Sequence, residues 1–155
     1  MFDLINGVPW HPLVVHAVVV LLPLAILGTI LIAARPPWRA TYGPLVVLLA
    51  AAATVLMPVA TSSGESLERR VGDPGQHARL GDQLIWFSLP LLVLIIALVV
   101  LDRRDGRRGA SKGHALTTAV AALAVVAAVA SGVQVYRVGD SGARAVWGDR
   151  VGASH

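Results

Sequence analysis

The chain has 155 residues, of which 55% are hydrophobic and 14% are charged, and its mean hydropathy is +0.69. This composition argues against a soluble globular domain, because such domains carry about 25% charged residues. The sequence contains no cysteine, which excludes disulfides, thiolate metal sites and cysteine nucleophiles within this chain.

Four apolar stretches, each near the length that crosses a bilayer, follow one another along the chain. An α-helix rises 1.5 Å per residue, so about 20 apolar residues span the hydrocarbon core. With their flanking residues, the predicted spans cover residues 12–34, 40–63, 80–102 and 115–138. The sequence therefore predicts an all-α integral membrane bundle of four transmembrane helices, folded as a single domain over residues 1–155.

The first span carries two histidines near its start. Its leader contains an acid and no lysine or arginine, which favours a retained helix over a secretory signal. His11 stands beside Trp10, where a solvated interfacial anchor is the simplest interpretation. His16 lies five residues deeper and precedes a nearly continuous apolar run. We therefore expect His16 to face the bundle interior and to find a polar partner there.

Polar residues also gather at one end of each later span. The second span ends in an acidic segment, the third begins with a histidine and an acid, and the fourth ends in mixed charges. Because successive spans alternate in direction, these ends are predicted to meet the histidines of the first span in one polar layer. Besides His16, the predicted cluster contains His11, Glu65, Glu68, His77, Asp82, Arg137 and Asp140.

The basic residues predict the orientation. Two very short connections, residues 35–39 and 102–113, carry seven of the 13 lysines and arginines, whereas the longer segments on the other side carry six. Dense positive charge in short loops favours the cytoplasmic side, so both termini and the polar cluster are expected outside a plasma membrane. The basic residues flank helix ends without aromatic stacking platforms, which favours lipid headgroups and no nucleic acid as partner.

The polar cluster admits one structural and three functional interpretations. The structural one is a network of hydrogen bonds and ion pairs joining Glu65 or Glu68 to arginines of the other helices. The functional ones are a b-type haem held by His16 and His77, a divalent metal held by histidine and carboxylates, or a proton path through His16, Glu65 and Asp82. No known catalytic spacing is present, so an enzyme is not predicted.

Small residues on the fourth span form a candidate packing stripe. Ala124, Ala128 and Gly132 recur every four residues, a spacing that lets membrane helices approach closely. The alternative is an alanine-rich composition without a specific packing role.

Three motifs resemble an uncharacterised bacterial family, the domain of unknown function 2231. They are residues 7–16 (GVPWHPLVVH), residues 64–68 with 77–82 (GESLE and HARLGD), and residues 139–148 (GDSGARAVWG). The resemblance covers essentially the whole chain and implies a four-helix membrane domain common in actinobacteria. Some members are fused to a Rieske-type iron–sulfur module, which implies a respiratory or redox membrane partner.

The resemblance also implies that His11, His16, Glu65, His77 and Asp82 match the family's polar motif positions. One departure is Asp140, where the family commonly has histidine, so a histidine ligand on the fourth helix is not expected. The overall expectation is a redox-associated or cofactor-binding membrane module with an outer-facing cluster of histidines and acids. The alternatives are a structural or assembly subunit of a membrane complex and, third, transport of protons or small solutes.

Overall fold

The computed structural model describes residues 4–5, 8–71, 75–108 and 113–152. Two short strands, β1 Leu4–Ile5 and β2 Val8–Pro9, pair antiparallel ahead of the helices. The helices are α1 His11–Ala34, α2 Trp38–Val71, α3 Gln76–Gln83, α4 Ile85–Arg108 and α5 Gly113–Gly152. Gly7 of the first motif and residues 109–112 of the basic loop lie outside the described residues.

The four long helices form a closed ring in which α1 packs on α2, α2 on α4, α4 on α5, and α5 on α1. Each contains a segment long and apolar enough to cross a membrane. The predicted all-α membrane bundle is therefore confirmed. We name its two ends by their side chains: the histidine end contains His11 and His77, and the arginine end contains Arg39 and Asp102.

The exterior of the bundle is suited to lipid. Large apolar side chains stay exposed along every long helix, including Val20, Leu48, Val93 and Val126. The interior is filled by another set of apolar side chains, and the largest fully buried ones are Leu22, Ile32, Leu91, Ile95 and Leu98. An apolar surface of this extent is unfavourable in water, whereas the bilayer solvates it.

Two glycines lie at tight helix contacts near the arginine end. A Cβ on Gly28 of α1 would lie 2.7 Å from a Val46 methyl of α2, and a Cβ on Gly43 of α2 would lie 2.6 Å from a Val99 methyl of α4. The stripe proposed on the fourth span is packed only in part. Ala124 and Ala128 are fully buried, but a Cβ on Gly132 would meet no atom within 4 Å.

Arg39 joins three helices at the arginine end. Its guanidinium donates hydrogen bonds to the carbonyls of Ile32 (2.9 Å) and Ala33 (3.0 Å), where α1 ends. It also pairs with Asp102 of α4 at 3.3 Å. The last carbonyls of a helix have no partner within it, so Arg39 satisfies two of them while holding α2 and α4 together.

The helices differ from the predicted spans at the histidine end. The third span is divided into α3 and α4 at Leu84, where the Leu84 amide donates to Gly81 three residues earlier and tightens the backbone. Helices α2 and α5 have 34 and 40 residues, well beyond the roughly 20 that a bilayer requires. Their excess length places helical structure beyond the apolar layer at the histidine end.

Candidate ligand cavity at the histidine end

A cavity of about 340 Å³ lies at the histidine end. Its walls come from α1, α2, α3 and α5, with Leu84 between α3 and α4. Along α1 the lining runs from His11 to Val19, eight residues or about 12 Å at helical rise. Val19 is 52% exposed, so the lining extends to the edge of the outer surface of α1. Its deeper walls are mainly apolar and include Val15, Val18 and Met57.

His11 enters the cavity from the first turn of α1. The residues Val14, Val18, Leu22 and Ala25 mark the buried face of this helix, and His11 precedes them by one turn on the same face. The His11 Nδ1 atom lies 3.0 Å from the carbonyl oxygen of Ala60 and 2.9 Å from the hydroxyl of Ser63. The Ser63 hydroxyl donates to the same carbonyl at 2.9 Å. These contacts fix the imidazole of α1 against α2.

His77 enters the same cavity from α3. Its Nδ1 atom lies 3.1 Å from the carbonyl oxygen of Val138 on α5, and Ser141 is 3.5 Å from the same nitrogen. The buried side chain of Gln134 adds a second link, because its amide donates to the Leu80 carbonyl at 3.0 Å. Helix α3 is thus held on α5 by side chains that satisfy backbone groups.

Each histidine ring rests on a glycine of a neighbouring helix. A Cβ on Gly64 of α2 would lie 3.0 Å from Cε1 of His11, and a Cβ on Gly142 of α5 would lie 3.0 Å from Cε1 of His77. Both distances are tighter than most contacts that real Cβ atoms make, so alanine would press on each ring. The two glycines give the imidazoles room in their observed positions.

The hydrogen bonds determine which ring nitrogen is available to a ligand. A backbone carbonyl can only accept a hydrogen bond, so Nδ1 must carry the proton in both His11 and His77. In a neutral ring the other nitrogen, Nε2, is then unprotonated and can accept a hydrogen bond or ligate a metal. Metal-binding histidines commonly show this arrangement, in which the second nitrogen donates to a carbonyl.

The carboxylates of Glu65, Glu68 and Asp82 complete the polar lining. Glu65 and Asp82 are exposed and Glu68 is half-buried, so they stand at the polar mouth, away from the apolar floor. Among the described lining residues there is no lysine or arginine. The cavity therefore combines an apolar floor with a mouth rich in hydrogen-bond acceptors and negative charge.

The structure corrects the expectation for His16, which does not face the bundle interior. Its side chain is exposed, it is absent from the cavity wall, and its Nδ1 bonds the Pro12 carbonyl of its own helix. Five residues rotate a helix by about 140° beyond a full turn, so His11 and His16 cannot share a face. The structure brings His11 and His77 to one cavity, and it does not bring His16 there.

Arg137 and Asp140 also lie apart from the cavity. Arg137 is exposed, and Asp140 pairs with Arg144 of its own helix at 3.0 Å. The fourth long helix contributes Val138 to the lining and the backbone carbonyl that anchors His77. Of the predicted cluster, the structure brings His11, Glu65, Glu68, His77 and Asp82 to the lining of one cavity.

The cavity residues do not form a ready metal centre. In the described ranges, no three histidine, aspartate or glutamate side chains are grouped so that they could hold a metal ion. The two imidazoles offer two nitrogen atoms that could bind a ligand, one from α1 and one from α3. This suits a ligand that lies between them.

Sequence reasoning missed the groups that hold the two histidines. The Ala60 and Val138 carbonyls carry no signal in a sequence, because every residue has one. For Gly64 and Gly142 the sequence offers only a weak indication. Small residues are typical of positions where membrane helices approach closely.

Comparisons with known proteins place the whole domain in one family. The model of a family described as a predicted membrane protein, DUF2231, matches residues 7–155. Comparisons with curated proteins and with solved structures give no match.

Proposed function

We propose that this chain, which belongs to the DUF2231 family of predicted membrane proteins, is a binding module that holds a small ligand between His11 and His77. The observation that carries the proposal is the pairing of two histidines in one cavity, each with its Nδ1 occupied by a backbone carbonyl of another helix. That arrangement leaves two Nε2 atoms, supplied by different helices, for a ligand.

The cavity supports this proposal by its size and lining. Its volume of about 340 Å³ is at the lower end of the range, about 300 to 1,000 Å³, that is usual for small-molecule sites. Such sites typically combine apolar walls with a few polar groups that fix orientation, as the valines, histidines and carboxylates do here. The pairing of His16 with His77 is replaced in the proposal by His11 with His77.

The proposal includes a location and a partner. The density of basic residues in the two short connections supports a plasma membrane with the histidine end and both termini outside. The proposed role is redox-associated, with a respiratory or redox membrane protein as partner, because imidazoles and carboxylates in one membrane cavity suit ligands that exchange protons or electrons.

The test is ligand retention by protein purified in mild detergent. The wild type, the double variant His11→Ala/His77→Ala and the single variant His16→Ala are compared by native mass spectrometry, absorption spectroscopy and metal analysis. His16→Ala is the matched control, because it removes the same side chain from the same helix outside the cavity. We expect stoichiometric ligand in the wild type and His16→Ala, and its loss in the double variant.

A structural role is the second candidate, and it also rests on the histidine contacts. His11 joins α1 to α2 and His77 joins α3 to α5, so both residues contribute to helix association without any ligand. This role predicts a wild-type protein free of ligand and metal, with the double variant unfolding more readily. A ligand-free wild type in all three measurements would decide for the structural role, including assembly into a larger complex.

A further inference from the structure

The lining of the cavity points to the class of ligand. We propose that it takes an amphiphilic organic cation, a protonated amine on an apolar chain, that enters from the lipid along α1. This inference rests on the proposed function, since it assigns the ligand of the same cavity.

The polar lining is composed almost entirely of acceptors. Carboxylates accept hydrogen bonds, and neutral imidazoles whose Nδ1 atoms are already occupied offer only acceptor nitrogens. Among the described lining side chains, the hydroxyl of Thr61 is the one remaining donor. A ligand head must therefore supply donors, and an ammonium group has three N–H bonds for Nε2 of His11, Nε2 of His77 and a carboxylate.

The charge of the lining further restricts which hydrogen-bond-donating ligands fit the cavity. Glu65 and Asp82 are exposed carboxylates of the lining, and the described lining residues include no lysine or arginine. A concave site of one charge sign with low-dielectric walls concentrates ions of the opposite sign. An anionic head would be repelled, and a neutral hydroxyl would gain hydrogen bonds without the Coulomb attraction.

The position of the cavity determines the body of the ligand. Val15 and Val18 extend the lining along α1 beyond His11, and the next lining residue, Val19, is half-exposed on the apolar outer surface. A bare metal ion or a small polar amine would leave this apolar part unused. An alkyl chain would fill it while its head stays level with the histidines, about 12 Å away along α1.

The test uses three probes of one chain length: dodecylamine, dodecanol and dodecanoate. The protein is placed in nanodiscs of neutral phosphatidylcholine, empty nanodiscs correct for partitioning, and bound probe is counted by native mass spectrometry. We expect saturable binding of dodecylamine, weaker binding of dodecanol and none of dodecanoate. In Glu65→Gln/Asp82→Asn, dodecylamine affinity should fall about tenfold while dodecanol affinity changes by less than about twofold.

The control is Asp140→Asn, which removes a carboxylate of the same end from outside the cavity. It should leave dodecylamine binding unchanged; an equal loss would show attraction to the general surface and overturn the inference. Dodecanoate binding as tight as dodecylamine would also overturn it. Stoichiometric binding of Zn²⁺ alone that excludes dodecylamine would instead assign a metal site.

The two proposals fail in different ways. In one outcome, a ligand copurifies with the wild type and is lost from His11→Ala/His77→Ala, but dodecylamine does not bind. That outcome would support the binding function and reject the organic cation as its ligand. An absence of both would reject both. Helical circular dichroism and size-exclusion elution confirm that each variant is folded before its binding is compared.

Discussion

Two ion pairs of the described residues, Arg39–Asp102 and Arg144–Asp140, differ in exposure and are expected to contribute very differently to stability. Arg39 and Asp102 join α2 to α4 with their side chains 8% and 25% exposed, whereas Arg144 and Asp140 lie one turn apart on α5 and are 78% and 39% exposed. We compare Asp102→Asn with Asp140→Asn. Both substitutions remove one negative charge and preserve the shape of the side chain.

The structure sets the expected magnitudes. Removing one partner of a buried pair typically costs about 3–5 kcal/mol, because the remaining charge is left uncompensated. Asp102 is partly exposed, and Arg39 keeps its bonds to two α1 carbonyls, so we expect about 2–3 kcal/mol for Asp102→Asn. An exposed pair four residues apart contributes about 0.3–0.5 kcal/mol, which sets the expectation for Asp140→Asn.

The assay is reversible unfolding in mixed micelles of dodecylmaltoside and sodium dodecyl sulfate, followed by circular dichroism. Asp102→Asn should raise the equilibrium constant for unfolding by roughly 30- to 150-fold, since each 1.4 kcal/mol is a factor of ten. Asp140→Asn should shift it by about twofold. Equal effects of the two substitutions would refute the inference that Arg39 holds the arginine end together.

Three further predictions concern packing, the cavity and orientation. Gly43→Ala should destabilise the bundle by about 1–3 kcal/mol, because its Cβ would overlap a valine methyl of α4; Gly132→Ala, which has open space, should be neutral or stabilising by up to about 1 kcal/mol in the same unfolding assay. Gly64→Ala should weaken ligand retention severalfold while the fold is kept, since its Cβ presses on the imidazole of α1; unchanged retention in native mass spectrometry would count against the position assigned to that ring. The cysteine-free sequence allows single-cysteine labelling in intact cells, where a membrane-impermeant maleimide should modify Arg79→Cys and spare Arg104→Cys; the reverse pattern would invert the proposed orientation.

The bundle could be predicted because lipid imposes a simple rule on the sequence. Each crossing needs about 20 apolar residues, and this chain has four such stretches separated by charged connections. The exact ends of the helices were harder to predict from the sequence. Helices α2 and α5 continue past the apolar residues through polar segments such as residues 61–71, where hydropathy gives no signal for a helix.

The correct histidine on α1 could not be chosen from hydropathy, and the choice of His16 as an inward-facing residue was wrong. In a helix that is apolar all round, the sequence does not show which side faces the neighbouring helices. The prediction therefore depended on the depth of each histidine in the membrane, and His16 is the deeper of the two. The five-residue spacing places His11 and His16 about 140° apart around the helix. Only the packing of Val14, Val18 and Leu22 reveals that His11 is on the inner face.

The structural role of Arg39 was also not predicted, because the positive-inside rule was the only interpretation given to this residue. As one of two arginines in a short connection, it was counted as an orientation signal at the membrane surface. In the structure it is 7% exposed and bonds the end of α1. Its role follows from the unpaired carbonyls at a helix C-terminus, which are present in every helix and identify no particular partner.

The most direct test of the cavity is the position of the protons on its histidines. Protein labelled with ¹⁵N at histidine, with resonances assigned by single substitutions, reports which ring nitrogen is protonated. We predict that Nδ1 carries a proton in both His11 and His77, and that the Nε2 resonances of both rings shift when dodecylamine binds. Protons on Nε2 in both rings, or a shift confined to His16, would contradict the account of a cavity that binds its ligand through these two nitrogens.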